Sequence, residues 1–158
     1  MGCDTGRSHR NTIMHIVIGA DHRGFDHKEY IKHHTMNIDI AVTWIDVGAY
    51  DLSRSDYPLF AQKACAQIIQ GNAAGGVLIC GSGVGMAVAA NRFRGIYAAL
   101  AWNRVVARQS KEHDNANIVV IPSDYVSKEE ATQMVTAWLS ATFAGGRYQE
   151  RIAMIDSD

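Results

Sequence analysis

Cys80 stands where an apolar run, Val77-Leu78-Ile79, meets the glycine-rich turn Gly81-Ser82-Gly83-Val84-Gly85 and the alanine-rich segment Met86 to Asn91. That succession reads as strand, loop and helix. Three glycines in the five residues 81–85 let backbone N–H groups come close to a ligand, and those at a helix start have no partner within the helix. The positive pole of the helix dipole lies at the same end, so the loop suits an oxyanion and would also stabilise a Cys80 thiolate. The chemistry on offer is a base beside an anion hole. The glycines lack the spacing of a dinucleotide fingerprint, and no Gly-Lys-Ser/Thr follows, so neither NAD nor a P-loop nucleotide is indicated. A glycine turn alone is weak, and a cysteine at a strand end is more often a small buried hydrophobe than a catalyst.

Two other clusters carry charge. Asp21-His22-Arg23 follows the β-branched run His15 to Gly19 and gathers a carboxylate, an imidazole and a guanidinium. Arg147 and Arg151 stand at i and i+4 in a tail able to form a helix, so they share a face where two guanidinium forks could grip a phosphate. On spacing alone, a solvated surface pair is the plainer reading.

The elements that must position these residues alternate along the chain. Strands are expected at His15 to Gly19, Ala41 to Val47, Val77 to Ile79, Tyr97 to Ala101 and Ile118 to Ile121. Helices are expected from Phe25 to Thr35, from Asp56-Tyr57-Pro58 onward, in the alanine-rich segment that follows the glycine turn, from Arg104, and after a Ser127/Glu130 capping box. Leu59, Phe60, Cys65, Ile68 and Ile69 would give the second helix an apolar stripe, and Val135, Trp138 and Leu139 would face the core from the last. Five strands alternating with helices predict a three-layer α/β/α sandwich around a five-stranded parallel, Rossmann-like sheet, with a C-terminal helical extension. Strand order is not readable here. If strands one and three are neighbours, Asp21 and His22 share a crevice with Cys80 and Ser82.

At 158 residues, 47% hydrophobic and 20% charged, the chain has the composition of one globular domain, expected over residues 13–158 behind a disordered tail at 1–12. A formal charge of −1 disfavours a broad nucleic-acid or anionic-membrane surface and favours a small anionic ligand met by local basic residues. Cys3, Cys65 and Cys80 form neither a metal spacing nor a paired framework, which points to a reducing, cytoplasmic setting with no metal. Cys65 is expected in the core and Cys3 in the tail.

Taken together, Gly19-Ala20-Asp21-His22-Arg23-Gly24, Asp56-Tyr57-Pro58, Ile79 to Met86, Ala89-Ala90-Asn91, the His113 region and Gly145-Gly146-Arg147 with Arg151 resemble the ribose-5-phosphate isomerase B family. That family includes allose-6-phosphate and galactose-6-phosphate isomerases, and the resemblance runs from His15 to Ile155. It implies a cofactor-free aldose–ketose isomerase of the pentose phosphate pathway, interconverting ribose 5-phosphate and ribulose 5-phosphate through a cis-enediolate. Carried onto matching positions, Cys80 takes the C2 proton, the N–H groups of Gly81, Gly83 and Gly85 face the enediolate oxygens, and Ser82 helps move protons. His113 and Asp21 are implied in opening the sugar ring, Tyr57 and Asp114 in contacting the sugar, and His22, Arg147 and Arg151 in binding the phosphate. The family is dimeric or tetrameric, with the His113 loop and the arginine segment reaching between subunits, which implies a homo-oligomer with shared sites. Two departures stand out. Many relatives have the order Asn-Asp where this chain has Asp114-Asn115, and many carry a phosphate-binding arginine near position 124, where Asp124 would repel the ligand. A hexose-6-phosphate isomerase and a non-catalytic sugar-phosphate-binding protein are the competing readings.

Overall fold

The computed structural model of the chain describes residues 12–35 and 39–157; the expected tail lies outside them except for Thr12. The strands are β1 (Ile13–Ala20), β2 (Ala41–Asp46), β3 (Gly75–Cys80), β4 (Ala98–Leu100) and β5 (Ile118–Pro122). Between and after them run α1 (Phe25–His34), α2 (Tyr57–Ile69), α3 (Val84–Ala90), α4 (Arg104–Asp114), α5 (Lys128–Ser140) and α6 (Arg147–Asp156). Every pairing is parallel, in the order β2-β1-β3-β5-β4, so β1 and β3 are neighbours and Ala20 pairs with Ile79. The chain is therefore an α/β fold with an all-parallel five-stranded sheet and a C-terminal helix.

Because β3 and β5 lie in the middle of the sheet, both of their faces are covered and their residues are apolar without alternation. On one face Ile16, Ile18, Val77, Ile79, Val119 and Ile121 meet Ile31 of α1, Ala107 of α4 and Met134, Val135, Trp138 and Leu139 of α5. On the other, Val17, Leu78, Ile118 and Val120 meet Phe60, Ala61, Ala64 and Cys65 of α2 and Met86 and Ala90 of α3. Burying an aliphatic or aromatic side chain of this kind stabilises by about 1.5 to 3 kcal/mol. The Trp138 ring also satisfies its own polar edge by donating from Nε1 to the Ala116 carbonyl at 3.0 Å.

Local chemistry fixes the helix starts. Ser127 and Glu130 form the expected capping box, Pro58 sits in the first turn of α2, and the Asn103 side chain accepts the Val106 N–H at 2.9 Å. The apolar stripe of α2 differs from expectation. Phe60 and Cys65 are buried, but Leu59 and Ile69 are 52% and 56% exposed, because Ala61 and Ala64 complete the sheet-facing side and turn those two outward. Cys65 is core as expected, and burial pushes its thiol up to about 11.

At the end of β2 a charge sits inside the fold. Lys28 of α1 is fully buried, with Nζ 2.6 Å from Asp46 and 3.0 Å from Glu29, and Lys32 approaches the same Asp46 at 2.8 Å. A buried ammonium is tolerable only when paired in this way. The other Asp46 oxygen accepts the Gly48 N–H at 2.9 Å, so the cluster ties α1 to the start of the loop that leads to α2.

Candidate active site

The register of β1 on β3 brings the ends of both strands to one crevice. Cys80 is the last residue of β3 and only 4% exposed. Gly83 follows in the left-handed region, at φ 75°, and opens α3. The N–H groups of Ser82, Gly83, Gly85 and Met86 have no backbone acceptor among the described residues, while the Ser82 hydroxyl accepts the Val84 N–H at 3.3 Å. The expected cradle of donors is thus present beside the sulfur. The expected lowering of the thiol is not. Burial raises the Cys80 pKa, and although the Met86 and Gly83 N–H groups and the Arg23 guanidinium pull it back, the Asp21 carboxylate adds to the rise. Desolvation of the buried sulfur outweighs the donors and the guanidinium around it.

Around this loop stand four other side chains. Asp21 is buried and its Oδ1 accepts the N–H groups of Arg23 (3.0 Å) and Gly24 (3.2 Å), holding the turn that enters α1. His22 donates its N–H to Ser55 Oγ at 3.0 Å, and its Nδ1 lies 3.2 Å from the Ser55 nitrogen, so Nε2 is the ring nitrogen available to a ligand. Tyr57 covers the loop from the start of α2. A Cβ on Gly85 would come within 2.6 Å of the Tyr57 Cζ, so only glycine lets the ring lie this close. Arg23 packs its guanidinium against Gly81 and pairs with Asp124.

The remaining residues gather elsewhere. His113, near the end of α4, stacks on Tyr148 with ring centroids 4.5 Å apart, and the Arg147 and Arg151 guanidinium carbons lie 5.0 and 6.0 Å from the same ring. Asp114 is exposed beside them and lines a cavity of about 600 Å³ with Arg92, Arg94 and Ile152. Since α4 returns the chain to the start of β5, this cluster belongs to the edge of the sheet opposite Cys80. Gly76 pairs with Ile118 and Cys80 with Pro122; at about 3.3 Å per residue the strand alone separates the two edges by about 13 Å. Although the cavity is roomy, none of the glycine-loop residues lines it. The structure therefore brings Cys80, Ser82, Asp21, His22, Tyr57 and the loop glycines together, and separately His113, Asp114, Arg147 and Arg151.

Sequence reading missed three participants: Ser55 on the His22 ring, Tyr148 under His113, and Ser123, whose hydroxyl donates to the carbonyls of Cys80 (3.2 Å) and Arg23 (3.1 Å). A polar residue just past Pro122 was the available signal for Ser123, because the carboxyl end of a central strand borders the crevice.

The parallel sheet, with a cysteine and a glycine loop at its carboxyl edge, defines the class. The chain matches the Ribose/Galactose Isomerase family over residues 16–155 and belongs to it. It is 39% identical over 140 residues to ribose-5-phosphate isomerase B of Escherichia coli, covering 89% of this chain and 93% of that one. A ribose 5-phosphate isomerase from Thermotoga maritima superposes with a TM-score of 0.84 at 41% identity, over 90% of this chain and 97% of that one. The ribose-5-phosphate isomerase B of Mycoplasma genitalium with bound ribulose-5-phosphate gives 0.81 at 36% identity, over 90% and 93%. Among the described residues, no helix is long and apolar enough to cross a membrane.

Proposed function

We propose that the chain interconverts ribose 5-phosphate and ribulose 5-phosphate. Carrying the reading is Cys80 beneath a row of backbone N–H groups that have no backbone acceptor, with Asp21 alongside. The Cys80 thiolate takes the proton from C2 of the open aldose, electrons move onto the carbonyl oxygen to give the cis-enediolate, and the same thiol returns the proton to C1. The loop N–H groups stabilise the oxyanion as it forms; one such donor is typically worth about 3 kcal/mol of barrier. Burial, which makes the thiolate scarce, also makes it a stronger base for a carbon acid. Ser82 moves a proton between the two oxygens, Tyr57 contacts the sugar from the same chain, and Asp114 contacts it from a second copy. The aldose and ketose differ only in the placing of two hydrogens, so the step requires no redox partner. That Cys65 and Cys80 are free thiols favours a cytoplasmic setting.

His113, with Arg147 and Arg151 for the phosphate, serves the Cys80 of a second copy, joining Asp21 in ring opening and His22 at the phosphate. Supporting this is the opposite placing of the two clusters, together with exposed apolar residues beside the loop: Val84 and Val88, one turn apart on α3, and Leu59 on the adjoining α2. The test is to incubate the protein with ribose 5-phosphate, allose 6-phosphate and galactose 6-phosphate and measure ketose formation. Turnover of the pentose alone or foremost is expected. Preference for a hexose would move the assignment to a hexose-6-phosphate isomerase, and binding without turnover to a sugar-phosphate-binding protein.

A further inference from the structure

We infer that Arg23 is a phosphate-binding residue of the substrate site and that Asp124 positions it. The inference deepens the sugar-phosphate reading above and rests on it. Arg23 is anchored from three directions. Its N–H is held by Asp21 Oδ1 at 3.0 Å, its carbonyl accepts the Ser123 hydroxyl at 3.1 Å, and its guanidinium pairs with Asp124. Asp124 in turn donates its N–H to the Gly81 carbonyl at 3.0 Å. The guanidinium lies flat against Gly81: a Cβ there would sit 2.7 Å from Cζ, 2.8 Å from Nε and 2.9 Å from Nη1. Glycine at 81 thus serves a second purpose besides exposing N–H groups, since any other residue would push the arginine off the loop.

The Arg23 side chain is 57% exposed and that of Asp124 35%, and an ion pair so wet adds little to stability. What the pair fixes is direction. Asp124 occupies one corner of a fork with five donors, and the others remain for a ligand at the mouth of the crevice. His22 leans the other way, onto Ser55 in the loop after β2, whereas Arg23 leans onto the loop after β5, so the two flank the β1/β3 crevice. Asp124 therefore does not meet the ligand as a bare carboxylate. The cation at this mouth of the crevice comes from the end of β1, steadied by an acid from the loop after β5.

The test is calorimetric titration of inorganic phosphate into the wild-type protein, Arg23→Ala, Arg23→Lys, Asp124→Ala and the Arg23→Ala/Asp124→Ala double variant, alongside steady-state kinetics with ribose 5-phosphate. Arg23→Ala should weaken phosphate on the order of 10- to 100-fold and raise KM by a similar factor, with kcat held within a few-fold. Arg23→Lys should recover part of the loss. Asp124→Ala should weaken phosphate several-fold when Arg23 is present and not when it is absent. Unchanged phosphate affinity in Arg23→Ala, or a fall in kcat alone, overturns the phosphate role. Tighter phosphate binding by Asp124→Ala in both backgrounds makes Asp124 merely repulsive and overturns the positioning role. Wild-type protein that binds no phosphate overturns both. Phosphate affinity that depends on Arg23 in a protein turning over no sugar phosphate would leave this inference standing and remove the isomerase reading; turnover with Arg23 irrelevant would do the reverse.

Discussion

Gly83 and Gly71 have nearly the same positive φ, 75° and 80°, but very different surroundings, and an alanine at each separates two costs. A Cβ at Gly71 would meet nothing within 4 Å, whereas at Gly83 it would lie 2.4 Å from Leu100 Cδ1. Holding an L-residue in the left-handed region costs about 1 to 2 kcal/mol, and the stiffer unfolded chain returns about 0.4 to 1. Gly71→Ala should therefore destabilise by about 1 kcal/mol. Gly83→Ala carries the same backbone cost plus an overpacking cost of about 1 to 3 kcal/mol as Leu100 is displaced, for a total of about 2 to 4. Urea denaturation at unchanged m-value measures the difference, and a chain of this size should lose about 2 to 4 °C in Tm per kcal/mol. Activity should separate the variants further. Gly71→Ala should keep kcat, while Gly83→Ala moves the N–H groups around the sulfur, and a displacement of about 1 Å can cost about 100-fold. Equal destabilisation of the two variants, or full kcat in Gly83→Ala, would refute the loop geometry and the role given to it.

Cys80→Ala should keep the fold and lower kcat by about 10²- to 10⁴-fold, the usual contribution of a general base; kcat near wild type would return Cys80 to the core. Because burial raises this thiol, kcat/KM of the wild type should still be climbing as pH rises above neutrality, and a plateau already reached at pH 7 would contradict it. A mixture of Cys80→Ala and His113→Ala proteins, each nearly inactive, should regain activity on subunit exchange, since one site of each hybrid collects both defects and the other neither; no recovery under demonstrated exchange sinks site sharing. For Asp46, burial raises the carboxyl, but hydrogen bonds from Lys28, Lys32 and the Gly48 N–H more than offset it and leave it below its ordinary 3.8. Its contribution to stability is thus present above that value and lost as pH falls through the lower folded pKa. Asp46→Asn should be less stable at pH 7 and flatten the acid limb of a stability-against-pH curve; a parallel limb refutes the assignment.

Much of the architecture was legible because local patterns announce it: the β-branched runs of β1 and β5, the Ser127/Glu130 box, Pro58 at the start of α2. The Cys80 loop was legible for the same reason, since strand, turn and helix follow one another along the chain. What escaped depends on residues far apart in sequence. Arg23 and Asp124 are 101 positions apart, and no spacing rule links them. Leu59 and Ile69 fit a helical stripe by hydrophobicity, yet alanines supplied the close packing. The burial of Cys80 reversed the expected direction of its pKa, because desolvation is set by what the other strands and helices cover, which a local motif does not carry.

His113 and Cys80 hold opposite edges of one sheet, and the site sharing proposed above would make substrate a ligand of the assembly more than of the chain. A sugar phosphate seated between two copies is lost to each when they part, so binding and association are thermodynamically linked. At a ligand concentration of 100 times its Kd, such linkage favours the assembled form by about 2.7 kcal/mol for each site filled. Specific activity should then depend on enzyme concentration, falling on dilution as dimers dissociate and rising again when substrate is supplied, so that the metabolite itself sets how much working enzyme a given number of chains amounts to.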